Sequence, residues 1–117
     1  MTDHLQGIAR GFVKSRHWRW SEGMVLCWGI DHSMRYRLSS EPLWDVHLLC
    51  GGIPDLDDQL TRRKILQLVR EARGEPEWRP VALYHDPTPD WVIEPPSSKR
   101  QTLYSSYVSA LYAALPR

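Results

Sequence analysis

The side chains in this sequence best equipped for chemistry are cations interleaved with rings. Arg16-His17-Trp18-Arg19-Trp20 stands just ahead of Gly23 and an apolar run. Charge beside flat π surfaces is the equipment of a nucleic-acid platform, because phosphate needs a cation and an unstacked base needs a face. The same spacing suits a helix-to-strand corner, with Trp18 and Trp20 packed inward and Arg16 and Arg19 left in solvent, and this packing reading is the one adopted. Arg35 and Arg37 alternate along a second extended stretch, and Arg62-Arg63-Lys64 forms a basic run on a helix. Such a run is ordinarily solvated helix surface; its functional alternative is a grip on phosphate or on an acidic partner. Arg16, Arg19, Arg35, Arg37, Arg62, Arg63 and Lys64 make up the candidate partner-binding set.

Reactive constellations are weaker. Cys27, His32, His47, Cys50, His85 and Asp86 are the available metal ligands, but none are paired at the short C-x-x-C type of spacing that a structural zinc site uses. Cys27 and Cys50 fall in expected strands, where a free cysteine behaves as a small hydrophobe. Asp55, Asp57 and Asp58 have the composition of an acid pair or a cation site, yet capping of the helix that follows accounts for them. Gly51-Gly52-Ile53-Pro54 lacks the lysine and the glycine spacing of a phosphate loop. The expectation is a protein with no catalytic residue, no metal and no cofactor, which is not an enzyme and acts by its surface.

Size and charge bound the partners. At 117 residues the chain reads as one domain spanning 1–117, which removes roughly two-thirds of its unfolded surface from water. Apolar residues are 42% and charged residues 25%, ordinary globular usage that argues against wholesale disorder. A formal net charge of +1 provides no global field toward nucleic acid or anionic lipid. Six Trp and five Tyr against one Phe is the unusual feature, since indole and phenol favour the rim of a core or an interface. Two cysteines and no signal-like or membrane-spanning apolar segment imply a reduced, cytoplasmic setting.

The elements that must position these residues follow from periodicity. Leu5, Ile8, Ala9, Phe12 and Val13 recur at helical spacing, so a first helix runs to Lys14 behind a Thr2 or Asp3 cap, weakened by Gly7 and Gly11. After Gly23 the period becomes two. Met24, Leu26, Trp28 and Ile30 share one face of a strand and Val25, Cys27 and Gly29 the other. Asp31-His32-Ser33 reads as a turn, and Met34, Tyr36 and Leu38 then face inward while Arg35, Arg37 and Ser39 face water. Trp44 to Cys50 is the expected third strand, ended by Gly51-Gly52. Asp58 caps an amphipathic helix whose Ile65, Leu66, Leu68, Val69 and Ala72 share an arc and which stops at Gly74. Val81–His85 and Trp91–Glu94 form a hairpin with a proline-stiffened tip. Pro95 to Arg100 is a polar connector, and a last helix runs from a Thr102 cap to Leu115.

Ile8-Ala9-Arg10-Gly11-Phe12-Val13, Trp18-Arg19-Trp20-Ser21-Glu22-Gly23-Met24, Pro54-Asp55-Leu56-Asp57-Asp58, Leu68-Val69-Arg70-Glu71-Ala72-Arg73-Gly74 and Tyr107-Val108-Ser109-Ala110-Leu111 stand in that order. This succession resembles a set of small uncharacterised proteins of phages and prophages, over about half of the chain. The pattern of that set has a proline where Gln59 stands, and small or apolar residues where Arg62-Arg63-Lys64 stands. The resemblance implies a phage origin and carries no activity or functional residue with it.

The expected architecture is α+β, ordered α-β-β-β-α-β-β-α. A mostly antiparallel sheet of about five strands carries two to three helices on one face. The resemblance and the lack of a catalytic set imply a phage or prophage accessory protein that binds a host or phage protein stoichiometrically. Its most concrete form is an anti-CRISPR-like inhibitor of a bacterial defence system in the host cytoplasm. The alternative is a small nucleic-acid-binding protein using the basic and aromatic side chains; no membrane is implied, and the last helix offers a homodimer surface.

Overall fold

Side chains that accept the first free amides decide where the helices begin. The computed structural model describes residues 2–29, 31–39, 51–83, 90–92 and 106–116. Helix α1 (Asp3–Lys14) starts where the Thr2 hydroxyl accepts from the Leu5 N–H at 3.2 Å. Helix α2 (Gln59–Arg73) starts where the Asp58 carboxylate accepts from the Thr61 N–H at 2.9 Å. It ends on Gly74 at φ +70°, a left-handed conformation that closes the last turn with bonds from the Gly74 N–H to the Arg70 and Glu71 carbonyls. Helix α3 (Tyr107–Ala114) is capped by Ser106, whose hydroxyl accepts from the Ser109 N–H at 3.2 Å. Helix α3 therefore begins after Ser106, the extended serine that supplies its cap, and the expected cap Thr102 lies outside the described residues.

Strands β1 (Val25–Trp28), β2 (Met34–Arg37) and β3 (Ile53–Pro54) form an antiparallel sheet in the order β2-β1-β3. Strands β4 (Val81–Leu83) and β5 (Asp90–Val92) pair antiparallel by themselves. The fold is α+β and antiparallel, but among the described residues its strands divide into a sheet of three and a ladder of two, instead of one sheet of about five. The expected third strand at 44–50 lies outside the described residues, as do 86–89 of the expected hairpin tip and the connector at 95–100. The strand that joins β1 comes after Gly51-Gly52, where the sequence suggested a stop. Pro54 faces Leu26 in the ladder without an N–H to give, and the next bond runs from the Asp55 N–H to the Val25 carbonyl at 2.9 Å.

Among the described residues one core gathers the apolar faces. Phe12, Met24, Leu26, Leu56, Ile65, Val69 and Leu111 are fully buried within it. Helix α1 packs on β3 and α3, α2 packs on α3, and α3 reaches β5, where Trp91 meets Tyr107 edge-on at 5.2 Å. Trp18, Trp20 and Trp28 are partly buried against this core, and Trp18 bridges Phe12 to Trp20. Strand β1 is buried on both faces, whereas β2 departs from expectation. Met34 and Tyr36 do not enter the core: they are 52% and 44% exposed, and only Leu38 beyond the strand end is buried. The cause is position, since among the described residues β2 is the outer strand and the apolar cover closes over β1 and β3.

Candidate protein-binding surface on the β1–β2 hairpin

Register fixes what each face of the hairpin carries. Leu26 pairs with Tyr36 and Trp28 with Met34, so these four side chains share one face. Val25 pairs with Arg37 and Cys27 with Arg35 on the other. The connection between the strands uses Gly29 at φ +99° and His32 at φ 56°, with the His32 N–H bonded to the Gly29 carbonyl at 3.3 Å. Asp31 accepts from the Ser33 N–H at 3.1 Å, and its bonding to Ser33 holds its carboxyl below the usual range.

On the cationic face the arginines are tied down. Arg37 holds Asp58 with both terminal nitrogens, at 2.9 and 3.3 Å, and donates to the Gly23 carbonyl at 2.8 Å. The same Asp58 carboxylate accepts from the Thr61 N–H and from the Thr61 hydroxyl at 2.8 Å. That fully buried hydroxyl in turn accepts from the Val25 N–H at 2.8 Å. Partial burial would raise the Asp58 pKa, but the bonds from Arg37 and Thr61 outweigh it and hold the carboxyl below its ordinary value. Arg35 lies 3.4 Å from Asp55, which is buried and also accepts from the Asp57 N–H at 3.0 Å.

The other candidates are distributed over separate elements. Arg19 pairs with Glu71 of α2. Arg16 is exposed in the turn after α1 and lines a groove between α1 and α3. On α2, Arg62 and Lys64 are half-buried and Arg63 is exposed. Arg19, Arg35 and Arg37 thus each meet a carboxylate. The corner reading of Trp18 and Trp20 matches their partial burial, with Arg16 and Arg19 outside.

Met34 and Tyr36 are the residues that sequence reasoning expected inside and that the fold leaves exposed. Alternation identifies a face but does not say that the strand is outermost, so the signal for their exposure was missing. A second structural arrangement was also hidden. Trp78 is buried with the Arg73 guanidinium 5.0 Å from its ring centre, while Arg70 donates to its carbonyl at 2.6 Å.

Cys27 is buried, and burial first, then the Asp55 charge, push its thiol above the usual value, away from the thiolate a nucleophile needs. Among the described residues no three His, Cys, Asp or Glu side chains gather as a metal site. No helix among them is long and apolar enough to cross a membrane. No known protein family, curated protein or solved structure matches the chain.

Proposed function

We propose that the protein works by binding another protein stoichiometrically, through the exposed Met34 and Tyr36 of strand β2. The observation that carries this reading is the split character of β2. Its arginines are neutralised by Asp55 and Asp58, while Met34 and Tyr36 stand in solvent beside the half-buried Trp28. Methionine and aromatic rings are enriched where proteins meet, and a few of them carry most of the affinity. A partner that presents an apolar ridge can cover these rings without displacing an ion pair. Together with the resemblance to small phage and prophage proteins, this surface supports an accessory protein that blocks a host macromolecule, with a bacterial defence complex as the specific target class.

The test is stoichiometric capture from phage-infected and uninfected bacterial lysates by the tagged protein, in parallel with the doubly substituted Met34→Ser/Tyr36→Ser protein. We expect one partner at near-equal yield with the wild type and a loss of about thirtyfold or more in affinity with the variant, the scale of a hot spot. Equal capture by both proteins overturns the assignment of the surface. Nucleic acid is the competing ligand. A fluorescence-anisotropy titration that shows salt-steep binding abolished by Arg62→Ala/Arg63→Ala/Lys64→Ala would replace the protein-binding reading with it.

A further inference from the structure

The register of the three-stranded sheet fixes which backbone atoms β2 turns outward. The Leu38 N–H donates to the Met24 carbonyl at 2.8 Å, and the Asp55 N–H reaches the Val25 carbonyl at 2.9 Å from the other side of β1. Backbone polar groups alternate in direction along an extended strand, so Met24, Leu26 and Trp28 turn theirs toward β2, and Val25 and Cys27 toward β3. By the same alternation Met34 and Tyr36 turn their amides and carbonyls toward β1. Arg35 and Arg37 turn theirs away from it, and among the described residues no strand meets them there. We propose that this edge takes up an extended segment of the protein partner, which joins the sheet as a further strand beside β2. The inference rests on the protein-binding reading of Met34 and Tyr36 and specifies the shape of the partner they receive.

The side chains of β2 favour a strand over other shapes. Sheet edges are ordinarily guarded by proline, by bulges or by long charged side chains. Strand β2 contains no proline, pairs with β1 residue for residue, and is exposed at all four positions. Its arginines do not guard it, because acids draw them back over the sheet. Arg35 meets Asp55, which follows β3 on the far side of β1, and Arg37 meets Asp58 ahead of α2. An added strand would set alternate side chains beside Met34 and Tyr36, where apolar ones extend the face that Leu26 and Trp28 begin. Its other side chains meet arginines whose charge is already matched, so uncharged polar residues suit those positions. The partner segment therefore alternates apolar with uncharged polar residues, held by main-chain bonds to Arg35 and Arg37 and selected by the face of Met34 and Tyr36.

The experiment is amide NMR of the full chain. In the free protein the Arg35 and Arg37 amides should exchange with deuterium at least about tenfold faster than those of Met34 and Tyr36. A short peptide alternating threonine with leucine is then titrated, and it should give saturable shifts centred on Arg35 and Arg37. N-methylation of its threonine amides, which would face β2, should weaken binding by about tenfold or more, whereas N-methylation of its leucine amides should leave it unchanged. Arg35→Pro removes one outward N–H without touching the ladder to β1 and should abolish binding; Arg35→Ala loses the same ion pair and should retain it. Slow exchange at Arg35 and Arg37 in the free chain overturns the proposal, because the edge is then already occupied. So do shifts centred elsewhere, an absence of saturable binding, equal effects of the two methylations, or equal binding by the two Arg35 variants. The partner captured from lysate separates this inference from the reading beneath it. Capture kept by Arg35→Pro and lost by Met34→Ser/Tyr36→Ser removes the added strand and leaves protein binding standing, whereas capture unchanged in both variants removes both.

Discussion

The two faces of β2 alternate residue by residue yet differ in almost everything else. Arg35 and Arg37 are fixed by carboxylates from the β3–α2 connection, one of which also caps α2 and holds Thr61. Met34 and Tyr36, on the neighbouring positions, are largely open to water. The polar side of this strand is therefore structural and the apolar side is left available, the reverse of the usual arrangement in a half-buried strand. The difference teaches that a cation in a sequence marks a binding surface only if no acid reaches it first. Arg37 looked like a contact for phosphate, and in the fold it is a brace.

The sharpest way to break this comparison is to cut the same rung of the ladder from each of its two strands. Leu26 and Tyr36 face each other, one fully buried and the other 44% exposed. Leu26→Ala should lower unfolding free energy by about 2 to 5 kcal/mol in urea denaturation, and Tyr36→Ala by about 0.5 kcal/mol. Comparable losses would mean that the outer face is packed. Next comes the brace itself. Asp58→Ala removes the α2 cap and leaves Arg37 and the Thr61 hydroxyl short of an acceptor, so a loss of about 2 kcal/mol is expected from the same measurement. Thr61→Val keeps the shape but strips the acceptor from the buried Val25 N–H, at a cost of about 1 to 3 kcal/mol.

Acid provides a gentler probe of the same node. Because the Asp58 pKa is depressed in the fold, its stabilisation is fully present above the unfolded carboxylate value of about 3.9. It fades as pH falls through the folded value. The stability gap between wild type and Asp58→Asn should therefore narrow as pH drops below about 4, when followed by thermal melts from pH 6 to pH 2.5. A gap that stays constant would show that the carboxylate's charge contributes nothing. The smallest effect belongs to Arg19 and Glu71, whose side chains are 62% and 58% exposed. Glu71→Gln should change stability by less than about 0.5 kcal/mol, and raising salt should make even that vanish.

Much of the local structure could be read from the chain because it depends on neighbours in sequence. Thr2 and Asp58 reach amides three residues on, and Gly74 supplies the left-handed stop, so all three boundaries were legible. The β1–β2 hairpin was legible from its alternation. What could not be read depends on contacts across long separations. Arg37 and Asp58 lie 21 positions apart, and nothing in either local pattern announces that they meet. Strand β3 is two residues long and contains a proline, too little for a periodic signal. Trp78 follows Gly74 in an irregular stretch, so its burial against Arg70 and Arg73 had no spacing to reveal it. Gly11 reads as a defect in α1 until Tyr112 is seen to lie against it. The exposure of Met34 and Tyr36 was missed for a related reason: whether a strand is central or outermost is a property of the sheet.

The bond between the Val25 amide and Thr61 makes one proton a gauge of motion between helix and sheet. The Val25 amide at the start of β1 donates to a side chain on α2, so its proton can exchange with solvent only when the helix parts from the sheet. In native-state hydrogen–deuterium exchange this single site should report the opening of that junction. Any partner or ligand that clamps the two elements together would register there as slowed exchange, even while docked elsewhere on the molecule.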